Sequence, residues 1–592
     1  TAPNSDGSVQ VGVFEEMAGG AGSQWRAGVW VAAFVAANTL NKDLTDFTFS
    51  ATSGGYIDGA SASGLMAAGF LASITGAPVD PTVTMTGIIN PDGTIGPVGG
   101  IPEKVLAAID KGKKKIGFPI GMRLAESAKG GEPVDLVALA KAHGAEAIEI
   151  ADVHQAYKLL TGKSLPEPVP VSEADMALDP ATAKALDAKY KQWQQRLATD
   201  WGAILQLESA GRLPPILVYL RDYSKRYGEA AEQLYKQHLF AAAYARVLTA
   251  AIYAKSANQI YDILHAVQTN KFDVAQAALD NLDNLEEQTK QTFTKIGSIR
   301  PPTMGGHLQM MSAFRAALRG WVFKDFATAS LAATKTYIKS LSGTPLATLG
   351  SDKVADDVVT HVAPSILYVA KTLAETTLAT EQLEFVSAAD VNYMCSVPNV
   401  LRLATSFQSA GAAGVNYFDS LLVEPFAQSA HVSVDEAREQ VAIHEPDYLV
   451  AFVTAKLAAL DGTPKQLHDA WGDHSLPWGL FSLAGSELAY FHASELIARY
   501  YSLGVERDDN GQVTKMEYDK AFANMLATAE RTARASARAA RIATGAIPAQ
   551  AKLAYQLATV ERAGNLSDQL DALAEFWNSS AFSQTAVMLA RN

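Results

Sequence analysis

Two side chains early in the chain have the types and setting for acyl-transfer chemistry. Ser61 lies in a small-residue turn, Asp58-Gly59-Ala60-Ser61-Ala62-Ser63-Gly64, that runs into an apolar segment from Leu65 to Ile74. Lys104 closes a second turn, Gly99-Gly100-Ile101-Pro102-Glu103-Lys104, with proline where a first helical turn begins. A serine at a helix start has backbone N–H groups beside it that can hold an oxyanion. A lysine there feels the positive end of the helix dipole, and burial strips its solvation. Both effects disfavour the ammonium and leave an amine able to act as a base. That is the chemistry of a Ser–Lys hydrolase. Taken singly, the serine reads as an ordinary cap and the lysine as a surface charge, because short motifs recur by chance.

The residues between them decide the matter. Thr82-Val83-Thr84-Met85-Thr86 alternates as a strand, Asn90-Pro91-Asp92-Gly93 is a turn, and Thr94 to Val98 leads to the double glycine. Three motifs then stand in order: Asp58-Gly59-Ala60-Ser61-Ala62, Met85-Thr86-Gly87, and Pro97-Val98-Gly99-Gly100-Ile101-Pro102-Glu103-Lys104. This block resembles the proteolytic domain of the Lon family. There an acidic-Gly-x-Ser-Ala turn carries the nucleophile, and a Pro-x-Gly-Gly-x-x-Glu-Lys turn carries the catalytic lysine. The separation from Ser61 to Lys104 fits the family without a gap, which selects Ser61 over the second hydroxyl at Ser63. The resemblance runs from Gln24 to about Gly162.

The resemblance implies a serine endopeptidase acting on peptides or unfolded protein, with Ser61 as nucleophile and Lys104 as general base. It places backbone N–H groups of Gly59, Ala60 and Ser61 around an oxyanion, and Thr86 beside the dyad, hydrogen-bonded to Lys104. Asp58 is expected to be structural or access-gating rather than a base. No cofactor is implied, and a ring-forming homo-oligomer is. Ala60 departs from the proline common in bacterial members. The family's ATPase portion has no counterpart here, so hydrolysis is expected to be independent of ATP. Gly162-Lys163-Ser164 looks like the end of a phosphate loop, but Tyr157 stands where the loop needs glycine.

The chain of 592 residues is too long for one core. A net charge of −13 argues against nucleic acid as the main partner. The basic runs Lys113-Lys114-Lys115 and Arg531 to Arg541 read as solvated helix faces. The single cysteine, Cys395, excludes an internal disulfide framework and reads as packing. No apolar run is long enough to span a membrane. The start at Thr1 suits an exported, periplasmic protein relieved of a signal peptide, and equally a shortened cytoplasmic chain.

Elements that position the two turns alternate in type. Strands are expected at Val9 to Phe14, Phe47 to Ala51, Lys115 to Phe118 and Ala147 to Ile150. Helices are expected at Trp25 to Leu40, Ser61 to Thr75, Pro133 to Ala142 and Asp152 to Leu160. That alternation predicts an α/β domain over 1–164. Residues 165–180, with Leu165-Pro166-Glu167-Pro168-Val169-Pro170, form a proline-rich linker. From there to residue 592 the pattern is all-α, an irregular helical array without a strict period, broken near 300–306 and 460–478 into two or three sub-bundles. Such an array is expected to control substrate access or bind a protein partner, and 1–164 to fold without it.

Two weaker sites remain. Glu506, Asp508, Asn510 and Glu517 approach a calcium loop, with Gly511 at its sixth position, but Asn510-Gly511 between Val505 and Val513 equally makes a β-hairpin, the preferred reading. His468, Asp469, Asp473 and His474 match no zinc spacing and read as loop residues. The functional alternative to a peptidase is a catalytically silent Lon-type scaffold whose helical array binds a partner.

Overall fold

The computed structural model describes residues 1–4, 8–16, 19–342, 351–385, 395–508 and 512–590. The N-terminal α/β texture is present, built on two small sheets. In one, Phe47–Ser53 lies between the parallel strand Gln10–Glu15 and the antiparallel Ala2–Pro3. In the other, Lys115–Pro119 lies between Val83–Met85 and Glu146–Ile150, all parallel. Its crossovers are helices, as parallel pairing requires. Helix α3 (Ile101–Asp110) joins the first pair and Leu136–Ala142 the second. Four of the five residues of the central strand are buried, as befits a strand covered on both faces.

Two further helices frame the Ser61 turn. Helix α1 (Ser23–Thr39) carries Trp25, Val29, Phe34 and Val35 into the interior. Helix α2 (Ser63–Thr75) stops at Gly76, whose left-handed backbone caps it. The observed elements lie within a few residues of those expected from the sequence pattern.

Domain organisation differs from the sequence expectation. The chain divides into one unit formed by Thr1–Ala177 with Val391–Asn592, and another formed by Leu178–Asp390. The C-terminal helices therefore share a body with the α/β elements and do not form one array with everything after the linker. The physical reason is visible at α1. Phe34 packs against Phe407 at 4.8 Å and against Tyr490 at 5.1 Å between ring centroids. These rings lie on the helices Val397–Phe418 and Leu476–Ile497. Ion pairs also join N-terminal and C-terminal parts of this unit, with Arg402 Nε 3.3 Å from Asp43 Oδ2 and Arg531 Nη2 3.0 Å from Asp152 Oδ2. Buried rings of this size each contribute a few kcal/mol, while the ion pairs set partly exposed arginines against buried carboxylates.

The other unit is helical, with described helices from 9 to 38 residues long and hence no fixed repeat length. Its buried Glu381 accepts hydrogen bonds from Trp193 Nε1 at 3.1 Å and Tyr244 Oη at 2.5 Å, which offset the desolvation of the carboxylate. The expected break at 300–306 falls inside this unit, and that at 460–478 inside the first. Among the described residues no helix is long and apolar enough to cross a membrane.

Candidate active site

Ser61 occupies a single 3-10 turn, Ala60–Ala62, immediately before α2. Gly59 enters that turn with φ +92°, a conformation a side chain would strain. Asp58 fixes the entry: its Oδ1 accepts from the N–H groups of Gln24 at 3.0 Å, Trp25 at 3.2 Å and Gly59 at 2.9 Å. The first two belong to the opening turn of α1, whose N–H groups have no intrahelical partner. Asp58 is thus a helix cap delivered from another segment, in keeping with a structural role.

The Ser61 carbonyl oxygen accepts from the Gly87 N–H at 2.8 Å and from the Thr86 hydroxyl at 3.2 Å. Its backbone is pinned while its own hydroxyl has no hydrogen-bond partner among the described residues. Ser63 is the reverse case. It is fully buried, and its Oγ accepts the Ile89 N–H at 2.9 Å.

Lys104 is the fourth residue of α3, behind a cap at Gly100 in the left-handed region with φ +63°. Its N–H makes the first intrahelical bond, to the Gly100 carbonyl at 3.2 Å. Ile101 and Val105 anchor this turn in the interior at 0% exposure, and Ala60 belongs to the same apolar cluster. The turns bearing Ser61 and Lys104 therefore rest on one core. Glu103 bonds Ser127 rather than its neighbour. Among the described residues the Lys104 amine has no hydrogen bond or ion pair, and burial lowers its pKa from the ordinary 10.5.

Two expectations change. The Thr86 hydroxyl hydrogen goes to the Ser61 carbonyl oxygen, not to the lysine, so this bond braces the serine backbone. The Gly59 N–H is committed to Asp58, which removes it from any oxyanion-binding set and leaves Ala60 and Ser61. Sequence reasoning also missed two aromatic side chains. Tyr417 and Tyr501 meet edge to face at 5.8 Å, and both pack into the core cluster that holds Ala60. Burial, together with the charge of Asp58, raises both phenol pKa values above the ordinary 10.0. No local pattern marks them, since each lies more than three hundred residues from the turn.

The remaining candidates resolve simply. Strands Val505–Arg507 and Val513–Met516 pair antiparallel, as the hairpin reading expects, and Glu506 directs its carboxylate to Lys515 at 2.8 Å. Asp508 Oδ1 accepts from the Gln512 N–H at 2.8 Å, and the Glu517 N–H donates to the Leu503 carbonyl at 3.1 Å. Asn510 and Gly511 lie outside the described residues. His468 Nε2 pairs with Asp473 Oδ1 at 2.5 Å near the end of Thr463–Trp471. Burial pushes the Cys395 thiol up to about 11, the opposite of what a nucleophile needs. A trio absent from the sequence reading, Asp447, His492 and Glu495, has metal-ligating atoms within 4.8 Å of one another. Arg499 already supplies its cation, with Nη1 2.7 Å from Asp447 Oδ2.

Comparison with known proteins places this site in context. Residues 52–123 match the family model described as the Lon protease (S16) C-terminal proteolytic domain. Lon protease 2 of Bacillus subtilis is 46% identical over 63 residues, which is 11% of this chain and 11% of that protein. The archaeal Lon protease of Archaeoglobus fulgidus is 43% identical over 63 residues, 11% of this chain and 10% of that protein. The Lon protease of Rhizobium meliloti is 33% identical over 132 residues, 22% of this chain and 15% of that protein. The chain thus spans about a tenth of the first two relatives' length. The matched stretch contains both the Ser61 turn and Lys104, and a serine peptidase domain is the coarse assignment it supports.

Proposed function

We propose that this protein is a serine peptidase that hydrolyses peptides and unfolded polypeptides without ATP. Ser61 Oγ attacks the scissile carbonyl carbon while the neutral Lys104 amine takes the hydroxyl proton. The tetrahedral intermediate carries its charge toward the N–H groups that open the 3-10 turn, at Ala60 and Ser61. Lys104 then gives the proton to the leaving amine as the C–N bond breaks, leaving an acyl ester on Ser61. Water, deprotonated by Lys104, attacks that ester and releases the acid, and the proton returns to Ser61.

One observation carries this reading: a half-buried lysine whose amine has no carboxylate or hydrogen-bond partner among the described residues, in a protein of net charge −13. A structural lysine in such surroundings would be expected to hold an acidic partner. Its lowered pKa is what a general base requires. The free hydroxyl of Ser61 beside a pinned carbonyl supports it further. Hydrolysis of an already unfolded chain is downhill and needs no mechanical work, hence no nucleotide.

The helical unit Leu178–Asp390 is assigned to holding such chains. Tyr219, Tyr223 and Tyr227 recur every four residues along Pro215–Lys236, next to Tyr253 and with Arg226 over Tyr223 at 4.4 Å. Tyr219 is 52% exposed and offers its ring to an unfolded segment, with Tyr223 and Tyr227 half-buried behind it. The test is hydrolysis of a fluorescent, permanently unfolded casein without nucleotide, by wild type and Ser61→Ala. Wild type should cleave and the variant should not; equal rates would refute the assignment of the nucleophile.

A further inference from the structure

The helices Val397–Phe418 and Leu476–Ile497 both pass into short π-helical turns, Asp419–Val423 and Ala498–Ser502. A π turn inserts an extra residue and re-aims the side chains around it, and such turns recur at functional sites. The second reaches the candidate active site. The Tyr501 hydroxyl oxygen lies 3.9 Å from the position a Cβ on Gly59 would occupy, next to the nucleophile turn. The neighbouring Ser502 Oγ lies 3.3 Å from the corresponding position on Gly96, in the strand that leads toward Lys104. One turn from late in the chain therefore lies against Gly59, beside the serine turn, and against Gly96, in the strand that precedes the lysine turn.

Tyr501 is held from both sides. Arg499 is buried and bonds Asp447, with Glu495 and Asp571 further out. Tyr500 donates its hydroxyl to Glu445. Ser502 is fully buried. The Tyr501 ring leans on Tyr417, itself 1% exposed. The Tyr501 hydroxyl, in contrast, has no hydrogen-bond partner among the described residues. A rigidly seated phenol with a free O–H thus stands at the Gly59 side of the turn, where the Gly59 N–H has been taken by Asp58.

Resting on the peptidase reading above, we propose that Tyr501 is a catalytic residue: its hydroxyl donates a hydrogen bond to the substrate carbonyl oxygen as that oxygen becomes an oxyanion on Ser61. It supplies the donor that Gly59 cannot. No proton is transferred; the phenol donates a hydrogen bond and keeps its hydrogen. Burial and the Asp58 charge keep it protonated to higher pH than a free tyrosine, so it remains a donor in the alkaline range where Lys104 is a free base. The C-terminal helices thereby form a wall of the active site and not only a cover.

The test compares wild type, Tyr501→Phe and Ser61→Ala on a fluorogenic peptide, with the inhibition constant of a peptide boronate, which forms a tetrahedral adduct on a serine nucleophile. Removing one oxyanion-hole donor costs about 100- to 1000-fold in turnover where the donor is fully engaged. Tyr501→Phe should therefore lose roughly 10- to 100-fold in kcat with KM within about twofold, and weaken boronate binding in parallel. Its Tm should stay close to wild type, because the ring still packs. Should the phenylalanine variant unfold, a fluorinated tyrosine at position 501 retains the shape and lowers the phenol pKa. The high-pH fall in kcat should then move to lower pH, which a purely structural ring would not cause. Unchanged kcat and boronate affinity in Tyr501→Phe, or a rise in KM alone, would overturn this proposal while an inactive Ser61→Ala left the peptidase standing. An active Ser61→Ala would instead refute the peptidase reading itself.

Discussion

The Oγ of Ser63 accepts the N–H of Ile89 at 2.9 Å in the fully buried interior, two residues from a serine whose hydroxyl has no described partner. The two hydroxyls of one turn thus have separate employment. Ser63→Ala leaves a buried backbone donor unsatisfied, a loss of about 1–3 kcal/mol. Thermal unfolding should therefore shift down while peptide hydrolysis persists. Ser61→Ala should show the opposite pattern, an unchanged melting curve and no hydrolysis. Interchanged results would reverse the assignment.

As the proposed general base, Lys104 should set the pH dependence. Only the neutral amine accepts a proton, so kcat/KM should climb with pH through the folded pKa of Lys104, which burial sets below 10.5. Below that pKa the slope should be roughly tenfold per pH unit. A profile flat from acid to neutral pH and abolished by a histidine substitution would point to a different base.

The same lysine should weigh on stability. With its folded pKa lowered, it holds its proton more tightly in the unfolded chain. Far below the folded pKa both states are charged and the fold bears the whole desolvation penalty. The penalty is relieved as pH rises through the folded pKa toward 10.5. Lys104→Met should therefore abolish hydrolysis yet raise Tm at neutral pH by roughly 1–3 °C, a gain that shrinks in alkali. A lower Tm would reveal a stabilising partner for the amine.

The packing of Phe34 on Phe407 and Tyr490 makes the N-terminal segment dependent on the C-terminal helices. A 1–164 fragment should lack a cooperative unfolding transition by circular dichroism. In the full chain, Phe407→Ala should cost about 3–5 kcal/mol. A fragment that melts cooperatively would restore the independent domain first expected from the proline-rich linker.

The fold's local elements were legible because their signals are local. Alternation marks Val83–Met85, and the double glycine marks the start of Ile101–Asp110. The Ser61 and Lys104 turns were legible for the same reason, since turn chemistry is written in neighbouring residues. What escaped was tertiary. The helix at α1 was expected from its local pattern, but nothing in that pattern names Phe407 or Tyr490 as the rings packed on Phe34. Nor does any spacing announce that Ala498–Ser502 winds as a π turn, or that Tyr501 comes to rest beside Gly59. Asp58 shows the limit from the other side: its acidity was plain, while its use as a cap for α1 required the fold.

The most direct test of the account is to trap the acyl group on the nucleophile. Wild type and Lys104→Ala would be treated at alkaline pH with a peptidyl β-lactone, whose ring opens to an ester on an attacking hydroxyl, and the adduct mapped by tandem mass spectrometry. The account predicts one acyl group on Ser61 in wild type, formed at least about 100-fold more slowly in Lys104→Ala. An adduct on Ser63 or Cys395, or equal labelling of Ser61 in both proteins, would contradict it.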